Sequence, residues 1–164
     1  MKKFVALLLA VLMVASLCAC GQKDTGSDLQ TVTKGKLTMS TNAQFPPYES
    51  VADDGKGYEG TGFEGIDIEI AYALAQKLGL ELVVDDMDFD SALSAVQTGK
   101  SDIVAAGVTV TPERQNTMCF TDSYATGVQV VIVKEDSDIK SIDDLEGKKI
   151  GTQRGTTGYI YCTD

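Results

Sequence analysis

The chain has 164 residues, 43% of them hydrophobic, and a formal net charge of -10. That length suffices for one ordinary buried core, and so acidic a chain would repel the phosphates of a nucleic acid. It contains no histidine, which removes Ser/His/Asp and Cys/His catalytic arrangements and most zinc sites; an enzyme would be left with carboxylates, lysine or tyrosine.

Residues 1–20 read as a targeting segment rather than fold. Lys2 and Lys3 precede the apolar run "FVALLLAVLMVAS", which is short for a spanning helix. "LCAC", Leu17 to Cys20, follows and resembles a bacterial lipobox, with leucine three residues before the cysteine and a small residue directly before it. That resemblance makes Cys20 a lipid-modified N-terminus, its acyl chains holding the protein on a membrane surface. An ordinary secretion signal and a short N-terminal anchor are the alternatives. Cys119 and Cys162 then remain in the mature chain; export permits a disulfide, but the spacing demands none, and two free thiols are expected.

Residues 21–35, "GQKDTGSDLQTVTKG", are polar and read as a flexible tether. From Lys36 the pattern becomes regular. "KLTMST" predicts a strand. "IDIEIAYALAQKLG" predicts an amphipathic helix, with Asp67 placed to cap it, Ile70, Leu74 and Leu78 on one face, and Gly79 as the stop. "LELVVDDM" predicts a strand, "DSALSAVQTG" a helix ended by Gly99, and "DIVAAGV" a strand covered on both faces. This alternation implies a parallel sheet in an α/β domain. A second block follows: "VQVVIVK" as a strand, "SIDDLEG" as a short helix capped by Ser141, "KKIGT" as a strand, and "GTTGYIYCTD" as the opening of a helix. A domain that stops there leaves apolar faces uncovered, so the chain is expected to be a piece of a longer protein.

"AAGVTVTPER", residues 105–114, poses a local problem. Thr111 is a good N-cap and Pro112 a good first helical residue. Arg114 then falls in the first turn, beside the positive end of the helix, where a cation is unfavourable. An anion bound between the two would remove the conflict. The alternative is a surface ion pair to Glu113 or Asp122. Asp86, Asp88 and Asp90 alternate in "DDMDFD", but the glycine and distal glutamate of a calcium loop are missing, so no metal site is expected and Asp90 reads as a helix cap.

Taken together, "TNAQFPPYE", "GIDIEIAYALAQKLG", "MDFDSALSAVQTGKSDIVAAGVTVTPER", "FTDSYATGVQVVIVK" and "DLEGKKIGTQRGTTG" resemble, in order and spacing, the amino-acid-binding family of bacterial extracellular solute-binding proteins, which serve ABC importers. The resemblance runs from about Lys36 to Thr163. It implies a two-lobed periplasmic-binding-protein-like α/β fold (type II), with residues 36–125 forming most of the first lobe and residues 126–164 a crossing strand and the start of the second. It further implies a monomer that captures a polar amino acid between its lobes and delivers it to permease subunits of an ABC transporter, without a cofactor and without catalysis. Lipid anchoring would keep it outside the cytoplasm on the cell membrane.

The resemblance also assigns residues. Arg114 grips the ligand carboxylate, Thr109 donates to it, and the Gly107 carbonyl receives the ammonium. Phe45 and Phe89 wall the ligand on opposite sides, and Asn42 makes a polar contact. Thr157 meets the carboxylate from the second lobe, and Gln153 reads the side-chain end. The family's second-lobe aspartate for the ammonium would lie beyond residue 164. Plainer roles remain open: a strand residue for Thr109, loop packing for Phe45 with Tyr48, a core position for Phe89, helix capping for Thr157. Two other functions share this fold, a ligand-binding module of a sensory receptor and a dehydratase of small carboxylic acids.

Overall fold

The computed structural model describes residues 29–163. In chain order the strands are β1 (Lys36–Thr41), β2 (Gln44–Phe45), β3 (Glu49–Val51), β4 (Phe63–Glu64), β5 (Glu81–Asp86) and β6 (Ile103–Val104). The helices are α1 (Ile66–Leu78), α2 (Phe89–Gln97), α3 (Pro112–Gln115) and α4 (Thr157–Thr163), with 3-10 turns at Tyr58–Gly60 and Ile142–Leu145. The predicted signal and Cys20 lie outside the described residues, as does most of the predicted tether. Of the tether's last residues, Val32 donates its N–H to Asp102 Oδ1 at 2.7 Å, and Asp102 Oδ2 accepts from Thr38 N at 2.8 Å. One carboxylate thus ties the chain entering β1 to the turn before β6.

β1 is the central strand of a parallel sheet of order β5-β1-β6, as the βα alternation predicts. Its side chains alternate between two layers. Leu37 and Met39 face α1, in clusters with Ala75 and Leu80 and with Ile68 and Ala71. Ser40 faces α2, where its hydroxyl reaches the Ala92 carbonyl at 3.0 Å and Ser101 Oγ at 2.9 Å. A small antiparallel sheet, β2-β3-β4, is inserted between β1 and α1.

Helix α1 differs from its expected reading in two ways. Its buried side chains are Asp67, Ile68, Ala71 and Ala75, whereas Ile70 and Leu74 are exposed. The small residues on the inner face let the helix lie close against β1, so packing rather than residue size chose the face. Asp67 does not cap the helix either. Gly65 occupies the N-cap at φ 123°, and the Asp67 side chain points to partners elsewhere in the fold. Asp90 is likewise not the cap of α2: Asp88 holds that position and the helix begins at Phe89.

Three predicted strands are shorter or missing. "DIVAAGV" pairs with β1 only at Ile103 and Val104. "VQVVIVK" and "KKIGT" join no ladder among the described residues, and Val128, Val130 and Ile132 are 81%, 75% and 92% exposed. β-branched composition favours a strand only where a neighbour supplies ladder bonds and a surface to pack on. "SIDDLEG" does turn helical, as a 3-10 turn whose Asp144 carboxylate accepts from the N–H groups of Lys140 and Ser141, both at 2.9 Å.

Candidate functional site

Arg114 lies in α3 as its sequence context predicts. Thr111 caps the turn, its hydroxyl accepting from Arg114 N at 3.3 Å. With only four residues, α3 has little macrodipole, so the opposing field is smaller than the sequence pattern suggests. The guanidinium is held instead by two backbone carbonyls. Nη1 donates to Thr109 O at 2.7 Å and Nη2 to Gly155 O at 2.9 Å. Its carbon sits 5.5 Å above the centre of the Phe89 ring, within cation–π range. Arg114 is 9% exposed, and burial pushes its pKa down while the Asp90 carboxylate acts the other way. Neither Glu113 nor Asp122 pairs with it; among the described residues the one ion pair is Lys36–Glu81.

Arg114 lines a cavity of about 230 Å³ together with Asn42, Phe45, Phe89, Gly107 and Thr109. Gln153 and Thr157 close it from the second block. All of the predicted ligand-binding residues therefore meet in one place. Asn42 is buried, donates from Nδ2 to Met87 O at 2.9 Å, and accepts from Gln153 Nε2 at 3.0 Å across 111 residues of chain. Thr157 is buried at the start of α4 and its hydroxyl accepts from Gln129 Nε2 at 3.1 Å. The cap of α4 is Thr156, whose hydroxyl receives Tyr159 N at 3.3 Å, so Thr157 is not needed as a cap.

The aromatic residues divide their roles. Phe45 is half exposed and stacks on Tyr48, with ring centres 5.3 Å apart and planes 12° from parallel. Phe89 is buried at 8% exposure and serves both the core and the Arg114 platform. Gly107 sits under Phe45 at φ 54°, and a Cβ there would stand 2.8 Å from the Phe45 ring. Both the left-handed backbone and the ring above it require glycine.

Glu49 is a buried acid of the cavity wall that sequence reasoning missed. It is 1% exposed, lines the cavity, and neither carboxylate oxygen meets a donor. Burial, with the neighbouring Asp67 carboxyl, pushes its pKa up to about 9, so it is a neutral acid at neutral pH. Asp67 accepts from Gly107 N at 2.8 Å and from Tyr124 Oη at 2.7 Å. Burial and this hydrogen bond push the Tyr124 phenol well up. The available signal was an acid, Glu49, embedded in the aromatic and proline-rich "FPPYE".

A larger groove, about 1000 Å³, runs along residues 129–152 and α4. None of its polar residues is buried. It is the uncovered apolar side of the unladdered segments, and it lacks the fixed, desolvated polar groups that mark the smaller cavity.

Residues 37–157 match the bacterial extracellular solute-binding proteins, family 3. The chain belongs to that family. The arginine-binding extracellular protein ArtP of Bacillus subtilis (strain 168) is 40% identical over 156 residues, covering 95% of this chain and 57% of ArtP. Among solved structures, an ancestral arginine-binding protein bound to glutamine matches with TM-score 0.71 and 40% identity, over 80% of this chain and 56% of that one. The ancestral amino acid-binding protein AncCDT-1, a precursor of cyclohexadienyl dehydratase, matches with TM-score 0.70 and 35% identity, over 79% and 56%. The chain thus spans little more than half the length of these relatives. The α/β periplasmic-binding-protein-like fold expected from the sequence is the fold observed. No described helix is long and apolar enough to cross a membrane.

Proposed function

We propose that the whole protein is an extracytoplasmic, lipid-anchored binding protein that captures a polar α-amino acid and hands it to an ABC permease. The observation that carries this reading is Arg114: a buried guanidinium with no ion-pair partner among the described residues, on the wall of a small cavity. A guanidinium has five N–H donors, and two are spent on the Thr109 and Gly155 carbonyls. The others suit a carboxylate, which would also neutralise the buried charge.

In this reading Phe45 and Phe89 pack on the ligand, while Asn42, Gln153 and Thr157 supply polar contacts beside them. The two sides of the cavity belong to the two lobes, residues 36–125 and 126 onward. Because Arg114 and Asn42 already bond to Gly155 and Gln153 across that division, ligand capture favours a closed arrangement by adding contacts on both sides. The relatives, an arginine-binding protein and one bound to glutamine, support a ligand with a long polar side chain. Thermal unfolding of the full-length protein against a panel of amino acids tests this. A cognate ligand at 100 times its Kd should add about 2.7 kcal/mol of stability, and a panel without any shift would overturn the proposal.

A further inference from the structure

We propose that Glu49 and Asp67 share one proton beneath the cavity, and that this pair is a positioning unit holding the Gly107 peptide and the Tyr124 hydroxyl at the cavity floor. Three elements converge there. Glu49 comes from β3, Asp67 from the first turn of α1, and Tyr124 from the segment after α3. Asp67 is 1% exposed and spends one oxygen on Gly107 N and the other on Tyr124 Oη. Glu49 is equally buried and has no donor for either oxygen. A buried carboxylate without a donor is heavily penalised. A neutral carboxylic acid has an O–H of its own, and Asp67, whose N–H donates to the carbonyl of the adjoining Tyr48 at 2.9 Å, is the acceptor we assign to it. The proton on Glu49 removes one of two adjacent buried charges and gives Asp67 a third donor.

The groups facing Glu49 are consistent with this. The Tyr124 phenol, its pKa pushed up by burial and by Asp67, lies in its surroundings, and Tyr48 precedes it in the chain. β2 contributes Gln44 and Phe45, and β4 contributes Phe63 and Glu64, the last exposed and paired in register with Ser50 rather than Glu49. Arg114 shares the cavity, but its Nη1 and Nη2 groups donate to the Thr109 and Gly155 carbonyls.

The sign of the pH effect follows from the raised value. Between Glu49's ordinary 4.5 and about 9 the folded protein binds one more proton than the unfolded chain. The stability this group contributes is full below 4.5 and is lost as pH rises through about 9. Glu49→Gln keeps the shape and a donor toward Asp67 but cannot titrate. In the full-length protein without ligand, the variant should therefore fold at neutral pH and lose about one proton's worth of the wild-type slope of stability against pH. Glu49→Asp, which retains a titrating group, should keep most of that slope. Identical slopes for wild type and Glu49→Gln would overturn the shared proton.

The link to Gly107 rests on the amino-acid-binding reading and has its own measurement. Affinity for the ligand found by thermal unfolding should fall severalfold further above about pH 9 in the wild type than in Glu49→Gln, where only the ligand's own ammonium titrates. Equal pH profiles of affinity, with the stability slopes still different, would leave the proton in place and remove its positioning role.

Discussion

At the scale of the residue, the proposed capture of an amino acid turns on Arg114. A buried guanidinium held by two carbonyls and an aromatic face is preorganised, so a bound carboxylate gains two parallel hydrogen bonds without first ordering the side chain. In the full-length protein, Arg114→Ala should weaken amino-acid binding by about 2–5 kcal/mol, the usual cost of truncating one partner of a buried charge pair, as read by calorimetry. Arg114→Lys should fall between the two, since it keeps the charge and loses the fork. Unchanged affinity in Arg114→Ala would remove the residue from the site. The motif "VTPER" announced this side chain because cap, proline and misplaced cation are all local signals. Glu49 gave no such signal. Its burial comes from α1 closing over the β2-β3-β4 insertion to which it belongs, and the α1 contact is distant in sequence.

Elements were legible in proportion to how much of their stability is local. α2 ends at the glycine stop Gly99, and the 3-10 turn at Ile142–Leu145 carries both its own capping box and a glycine stop. α1 was found, but its buried face was not, because Ala71 and Ala75 gain more from close approach to β1 than Ile70 and Leu74 would gain there. Strands depend on partners. A strand forms at β1, which has neighbours on both sides, whereas the more β-branched segment 128–134 stays unpaired. Hydrogen exchange on the 164-residue chain should therefore separate the two: amides of Leu37–Ser40 protected, amides of residues 128–134 and 148–152 exchanging fast. Protection of the latter would mean that those segments pair in solution, with another copy or with each other.

For the molecule as a whole, the candidate cavity lies where the parallel-sheet body meets the second block, near the C-terminal end of β1, where Asn42 follows the strand. Ligands of open α/β sheets bind outside the carboxyl ends of the strands. Anchoring is the other property of the whole molecule, and it rests on Cys20, which lies outside the described residues. If the lipobox reading holds, Cys20→Ala in cells should shift the protein out of the membrane fraction, and labelling with a fatty-acid analogue should be lost with it. Retention of both label and membrane association in the variant would show that another feature anchors the chain.

Local sequence alone determined the family, the βα alternation around the parallel sheet, and eight of the residues that gather around the cavity, because glycine stops, hydrophobic periods and ordered motifs are written in short stretches. The tertiary structure alone decided which face of α1 is buried, that Asp67 serves the cavity floor instead of a helix end, and that Glu49 is an acid without a donor. Those outcomes depend on burial and on partners 40 to 57 residues away in the chain, and desolvation is a property of the assembled surroundings, which no short stretch of sequence carries.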